Sequence, residues 1–308
     1  MNGLRAAIGF LTILPGAPRT PAAGLSKAPA WFPVVGLILG VVLALVDGLL
    51  RLGYLVLQTR SVPSAEDLQF FILGGRQLAF PVEAIIHVAG ASDASIWFRQ
   101  VPFLVEGVLP VALLVVLTRG LHLDGFMDTC DGLVGGHDRV RRLELLKDPH
   151  VGAFAVIGVV LLLAVKFSSV AALPAQSRLW TIMLVPCLGR WTILVVMDRF
   201  QYVRREGLGT PFVRGGSRRS LLAGSVVAVV ATVALTGPAG LLLMAVAGLV
   251  AGAIGAWAKR RIGGVTGDIY GAACETGEAA VLVLAVVITV ADPAALGSPL
   301  LALLDTSG

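Results

Sequence analysis

Charge, aromatic rings and cysteine are all scarce in this 308-residue chain, and each shortage removes a class of protein. Only 14% of the residues are charged while 56% are hydrophobic, whereas soluble domains carry about a quarter charged residues. A water-soluble globule of this composition would lack the polar surface to cover itself. Aromatics make up 6%, and the apolar residues come in long Val, Leu and Ala runs rather than in alternation, which argues against a transmembrane β-barrel. Three cysteines, Cys130, Cys187 and Cys274, lie far apart without CxxC spacing, so neither a thiolate zinc motif nor a disulfide framework is indicated. What is present in quantity is glycine, 37 residues of it, which suits closely packed membrane helices. The chain reads as all-α: one polytopic, membrane-embedded helical bundle over residues 1–308.

A crossing helix needs about 20 mainly apolar residues. Candidate spans are 32–50, 101–118, 152–173, 180–197, 221–258 divided in two at Thr236-Gly237-Pro238, and 279–303, which makes about seven transmembrane helices. The last contains Asp292-Pro293 and would have to begin near Gly277 if it stopped at Ala291. The run Ala6 to Leu14 follows Arg5 but no A-x-A-like cleavage site follows it, so it is expected to be an interfacial or re-entrant helix ending at Pro15. With the N-terminus inside, the inner segments hold 17 Lys and Arg against 5 in the outer ones, with Lys166 and Arg190 left within spans. Positive charge collects on the cytoplasmic side, so the loops 119–151, 198–219 and 259–278 are placed there. Residues 51–100 form an extended segment on the other side.

The richest run is Arg119-Gly-Leu-His122-Leu-Asp124-Gly-Phe-Met-Asp128-Thr-Cys-Asp131-Gly. Asp124, Asp128 and Asp131 follow i, i+4, i+7, which puts three carboxylates on one helical face. They are either a solvated acidic face or oxygen ligands for a hard divalent cation such as Mg²⁺. Ionisable residues at a membrane boundary favour the second. His122 reads as a base, a supporting donor or an interfacial side chain. Asp138 is placed to cap a short helix carrying Arg139, Arg141, Arg142 and Lys147. Lys147 either neutralises a phosphate or pairs with Glu144.

A second acidic stretch is Gly264-Val-Thr266-Gly-Asp268 continuing through Glu275 to Glu278. Thr266 to Asp268 could open a helix whose free N–H groups face an anion, and Asp268 and Glu275 share a helical face. The loop around Arg204-Arg205-Glu206 reads as a topology-setting basic segment or an anion-binding lid. Arg190, inside a span, requires a partner.

Together these stretches resemble the cobalamin synthase (adenosylcobinamide-GDP ribazoletransferase) family. The resemblance is carried by Phe10-Leu-Thr-Ile-Leu-Pro15, Phe32-Pro-Val-Val-Gly-Leu, Leu121 to Gly132, Lys147-Asp-Pro-His-Val-Gly152, Arg204 to Gly209, and Gly264 to Glu278, in order along the chain. It implies a Mg²⁺-dependent phosphotransferase of late cobamide synthesis in the bacterial cytoplasmic membrane, with its active site facing the cytoplasm. The hydroxyl of α-ribazole or of its phosphate would attack adenosylcobinamide-GDP and release GMP. With that resemblance, His122, Asp124, Asp128 and Asp131 are assigned to catalysis. Asp124, Asp128, Asp131, Asp268 and Glu275 are assigned to Mg²⁺, and Arg119, Lys147, Arg205 and Thr266 to substrate. No nucleic-acid partner is expected, and assembly into a homo-oligomer is left open. The competing readings are a CDP-alcohol phosphotransferase, whose longer aspartate pattern the chain lacks, and a carboxylate-lined ion transporter.

Overall fold

A computed structural model describes residues 2–14, 26–59, 94–204 and 218–299. Ten α-helices are formed there: α1 (Asn2–Leu11), α2 (Phe32–Thr59), α3 (Ala94–Leu117), α4 (Leu121–Thr129), α5 (Arg139–Leu145), α6 (Ala153–Ala172), α7 (Ala175–Arg199), α8 (Arg218–Thr236), α9 (Gly240–Ile262) and α10 (Gly267–Ala291). Six helices are long and apolar enough to cross a membrane, and the count reaches seven if the bent pair α3 and α4, which meet at 94°, makes one crossing. No strand forms among the described residues; a single parallel bridge joins Tyr202 to Val265. The chain is therefore the all-α polytopic membrane bundle its composition requires.

Apolar side chains on the outer helices face outward: Leu45, Leu161, Val226 and Leu249 are all exposed, as expected where the surrounding solvent is lipid. The centre is α7, packed against α2, α8, α9 and α10. Its crossing with α2 is close because that helix presents Gly36 and Gly40. A Cβ on Gly36 would lie 2.3 Å from the Pro186 carbonyl oxygen, and one on Gly40 would lie 2.0 Å from that of Met183. Small residues four apart let two backbones approach so that dispersion replaces the missing hydrophobic drive between membrane helices.

Several boundaries differ from expectation. The last span is not 279–303 but Gly267–Ala291, so the acidic stretch lies inside the helix rather than before it. Helices α2 and α3 extend to Thr59 and from Ala94, so the outer segment read as 51–100 is helical at both ends; residues 60–93 lie outside the described region. Arg178, placed by hydropathy in an outer loop, is inside α7 and 1% exposed. Its guanidinium holds Asp47 of α2 at 2.7 Å, and Arg51 bridges Asp47 and Glu106. Helix α1 covers the expected interfacial stretch but stops at Leu11, and Pro15 lies outside the described region.

Candidate active site

The end of the bundle where α4 meets the start of α10 is held by two glycines. A Cβ on Gly125 would sit 2.9 Å from the Asp268 carbonyl oxygen, and one on Gly271 would sit 2.7 Å from that of His122. This contact brings the acidic motif of α4 against that of α10, although 144 residues separate Asp124 from Asp268. Helix α4 is turned across α3 by Arg119 and Gly120, both in the left-handed region at φ 55° and 64°. A non-glycine residue there is strained, and such strain concentrates at functional sites.

Asp124 is exposed and Asp128 half-buried, and neither makes a side-chain hydrogen bond among the described residues. Asp128 lies within electrostatic reach of Asp268, Asp124 and Asp131 and of the Arg204 guanidinium. Asp268 accepts from Arg204 at 2.7 Å and from the Thr266 hydroxyl at 3.0 Å, both on Oδ2. Arg204 is itself placed by the short parallel bridge: the Val203 N–H donates to the Val265 carbonyl at 3.0 Å, and the Val265 N–H to that of Gln201 at 2.9 Å. Thr266, fully buried, thus orients Asp268 and is held away from solvent.

The five carboxylates assigned to one or two Mg²⁺ ions do not form one cluster. Seven helical residues rise about 10 Å, so Glu275 shares a face with Asp268 but sits two turns deeper. There it is 5% exposed and bonded to Lys166 of α6. Glu278, 0% exposed, accepts from Lys166 at 2.6 Å and from Arg190 of α7. Two carboxylates and two cations make this buried group neutral. Asp131 is bonded away from the other aspartates. The chain widens into a π-helical turn at Cys130–Gly135, and the two Asp131 oxygens accept from the N–H groups of Gly152 at 2.6 Å and Ala155 at 2.9 Å. Asp131 therefore caps α6, whose own N-cap position is a glycine with no side chain to offer. Replacing Asp131 by Ala should cost about 1–2 kcal/mol of stability, the usual worth of an N-cap. Thermal unfolding in detergent reads this directly; an unchanged midpoint would return Asp131 to the catalytic set.

His122 is 3% exposed, and its Nδ1 lies 3.5 Å from a guanidinium nitrogen of Arg190. Arginine only donates, so Nδ1 meets Arg190 as an acceptor in any bond between them, while the buried Nε2 has no partner among the described residues. This makes His122 a poor candidate for a base through Nδ1 and links it to the buried network. Arg119 reaches the carbonyls of Gly9 in α1 and of Thr12 just past its end, at 3.4 Å each. Lys147 is exposed beyond the end of α5, and Glu144 pairs with Arg141 at 3.2 Å instead. Asp138 caps α5 as expected: the Arg141 N–H, 2.9 Å away, holds its carboxyl below the usual carboxylate range. Arg205 lies outside the described residues; its neighbour Arg204 pairs with Asp268. Tyr202 and Tyr270 stack with centroids 6.1 Å apart; they lie within the basic and acidic stretches, but nothing in the spacing of those stretches shows that the two rings meet.

For magnesium, the donor chemistry fits: Asp124, Asp128 and Asp268 offer hard oxygens, and Mg²⁺ commonly takes one or two carboxylates together with substrate phosphate. No three acidic, cysteine or histidine side chains among the described residues converge on a single point, so the substrate would have to supply part of any such shell.

The Cobalamin-5-phosphate synthase family model matches residues 3–65 and 62–286. An adenosylcobinamide-GDP ribazoletransferase of Synechococcus elongatus is 35% identical over 288 residues, covering 91% of this chain and 94% of the relative. The protein of that name from Chlorobium phaeobacteroides is 34% identical over 290 residues, covering 92% and 96%. No solved structure matches the chain. With a family model spanning nearly its whole length and relatives matched end to end, the chain belongs to the cobalamin-5-phosphate synthase family.

Proposed function

We propose that the chain is an adenosylcobinamide-GDP ribazoletransferase whose reaction centre lies where α4 crosses α10. The observation that carries this reading is the close Gly125–Gly271 crossing, which sets Asp124 between two cavities and Asp268 in the wall of one, with Asp128 in electrostatic reach of both aspartates. Phosphoryl transfer from a diphosphate asks mainly for positioning and charge neutralisation. A ribazole hydroxyl oxygen forms a bond to the phosphorus nearest cobinamide, the bond from that phosphorus to the bridging oxygen breaks, and GMP departs with the bridging oxygen, the hydroxyl proton passing overall to GMP. Asp124, Asp128 and Asp268 would hold Mg²⁺, which when bound would offset the charge of the diphosphate. Arg204 and Thr266 hold the Asp268 carboxylate in place. Arg119 stands at the mouth of the larger cavity as the cation available to a phosphate. Purified protein given adenosylcobinamide-GDP, α-ribazole and Mg²⁺ should release one GMP per cobamide formed. Cation flux in proteoliposomes without GMP release would replace this reading with the transporter.

The site faces the cytoplasm on this reading, supported by the 17 to 5 bias of Lys and Arg. A cysteine at His137, 82% exposed at the end of the π-helical turn, should react with an impermeant maleimide only in inverted vesicles. Reaction from the outside would reverse the topology.

A further inference from the structure

Two cavities open at the crossing of α4 and α10, and they share a wall. The smaller, about 340 Å³, lies among α1, α2, α4, α7 and α10. It is lined by Phe10, Phe32, Met197, Tyr202 and Tyr270 and also by Asp124, Arg204 and Asp268. The larger, about 710 Å³, lies between α1 and α4 and is bordered by Gly9, Arg119, Leu123 and Met127. Phe10, Leu121 and Asp124 line both.

We propose that the cavities divide the two substrates: the small aromatic one takes a flat heteroaromatic nucleoside, and the larger one takes the diphosphate end of the activated partner. The assignment rests on the transferase reading above and goes beyond it in saying which substrate enters where. Ring shape is the first argument. Four aromatic side chains line the small cavity, and aromatic faces prefer offset or edge contact with other rings, so a planar base is the ligand whose surface they match. Its polar edge is the second. Asp268, whose Oδ2 is held by Arg204, has its other carboxylate oxygen free to accept from a pentose hydroxyl, beside the Mg²⁺ that it and Asp124 would hold. Size is the third. Ligand cavities run from about 300 to 1,000 Å³, so the smaller is of nucleoside scale, while a corrin macrocycle fits neither and must remain outside with only its GDP tail inserted. The larger cavity has one ring in its lining, that of Phe10, and one cation, Arg119, which suits an extended anion better than a stacked base. Asp124, common to both linings, then stands where the attacking hydroxyl meets the phosphorus.

Met197 and Leu123 each line one cavity only and carry no polar chemistry, so they separate the two subsites. Met197→Trp should raise KM for α-ribazole about tenfold or more, equivalent to about 1.4 kcal/mol, with KM for adenosylcobinamide-GDP unchanged. Leu123→Trp should do the reverse. In calorimetry without any corrinoid, α-ribazole should bind the wild type and Leu123→Trp but not Met197→Trp. Should the tryptophan variant fail to fold, Met197→Ala, which enlarges the same cavity, should also weaken α-ribazole alone. The opposite pattern of KM changes, or equal changes in both, overturns the assignment. Absence of GMP release by the wild type together with selective α-ribazole binding would sink the transferase reading while leaving the nucleoside site intact.

Discussion

Replacing Lys166 by Met will destabilise the protein by about 3–5 kcal/mol, the cost of stranding buried charge. The Lys166 ammonium is 3% exposed and serves both Glu275 and Glu278, which are 5% and 0% exposed. Without it, two carboxylates share the one Arg190 guanidinium, and one of them must take up a proton or draw in water. An exposed ion pair would be worth less than about 1 kcal/mol, so the size of the loss decides whether the network is buried as described. The compensating change is Glu275→Gln in the Lys166→Met background, which restores charge balance and should recover at least half of the lost stability. Thermal unfolding in detergent and the yield of monodisperse protein measure both. A single variant as stable as wild type would remove the network from the fold. The same neutrality weighs against a carboxylate-lined ion path: the deep acidic residues of α10 are already matched by cations of the protein.

That network explains where the sequence could be read and where it could not. Apolar run length located α2, α6, α7, α8 and α9 because a lipid-facing helix must be apolar over its whole exposed stripe. It misplaced α10, because Asp268, Glu275 and Glu278 resemble an aqueous loop unless their partners are known. Those partners are remote: Lys166 is 112 residues from Glu278, and Arg190 is 88. Arg178 reads as a loop residue for the same reason, its acidic partner Asp47 lying 131 residues away.

Local pattern did better with backbone than with chemistry. Asp138 was legible as a cap because capping is a three-residue affair. The i, i+4, i+7 aspartates were legible as one helical face, and Asp124 and Asp128 do lie on α4. The π-helical turn and the uncapped start of α6, which together claim Asp131, arise from tertiary contact and leave no mark in the spacing. Arg205, expected at a substrate phosphate, lies outside the described residues, and its identical neighbour is the one whose contacts are seen. The backbone bridge at Tyr202 and Val265 settles Arg204 as the partner of Asp268.

Asp124→Asn and Asp128→Asn should each lower turnover about 100- to 1,000-fold, equivalent to about 3–4 kcal/mol of transition-state stabilisation. Asn keeps the size of the side chain and removes one negative charge. These two aspartates test the metal most cleanly because neither bonds another described side chain, so no buried partner is orphaned by the change. If they hold Mg²⁺, the variants should need a higher Mg²⁺ concentration for half-maximal rate, and excess Mg²⁺ should recover part of the loss by mass action. Glu275→Gln provides the contrast: it disturbs the buried ion network two turns deeper on α10 and should lower stability without moving the Mg²⁺ requirement. A solvated acidic face predicts the opposite for α4, with near-normal rates and a small gain in stability as like charges are relieved. Folded Asp124→Asn and Asp128→Asn proteins that turn over normally in limiting Mg²⁺ would withdraw the metal from α4. A Glu275→Gln protein with a raised Mg²⁺ requirement would place the metal within the bundle instead.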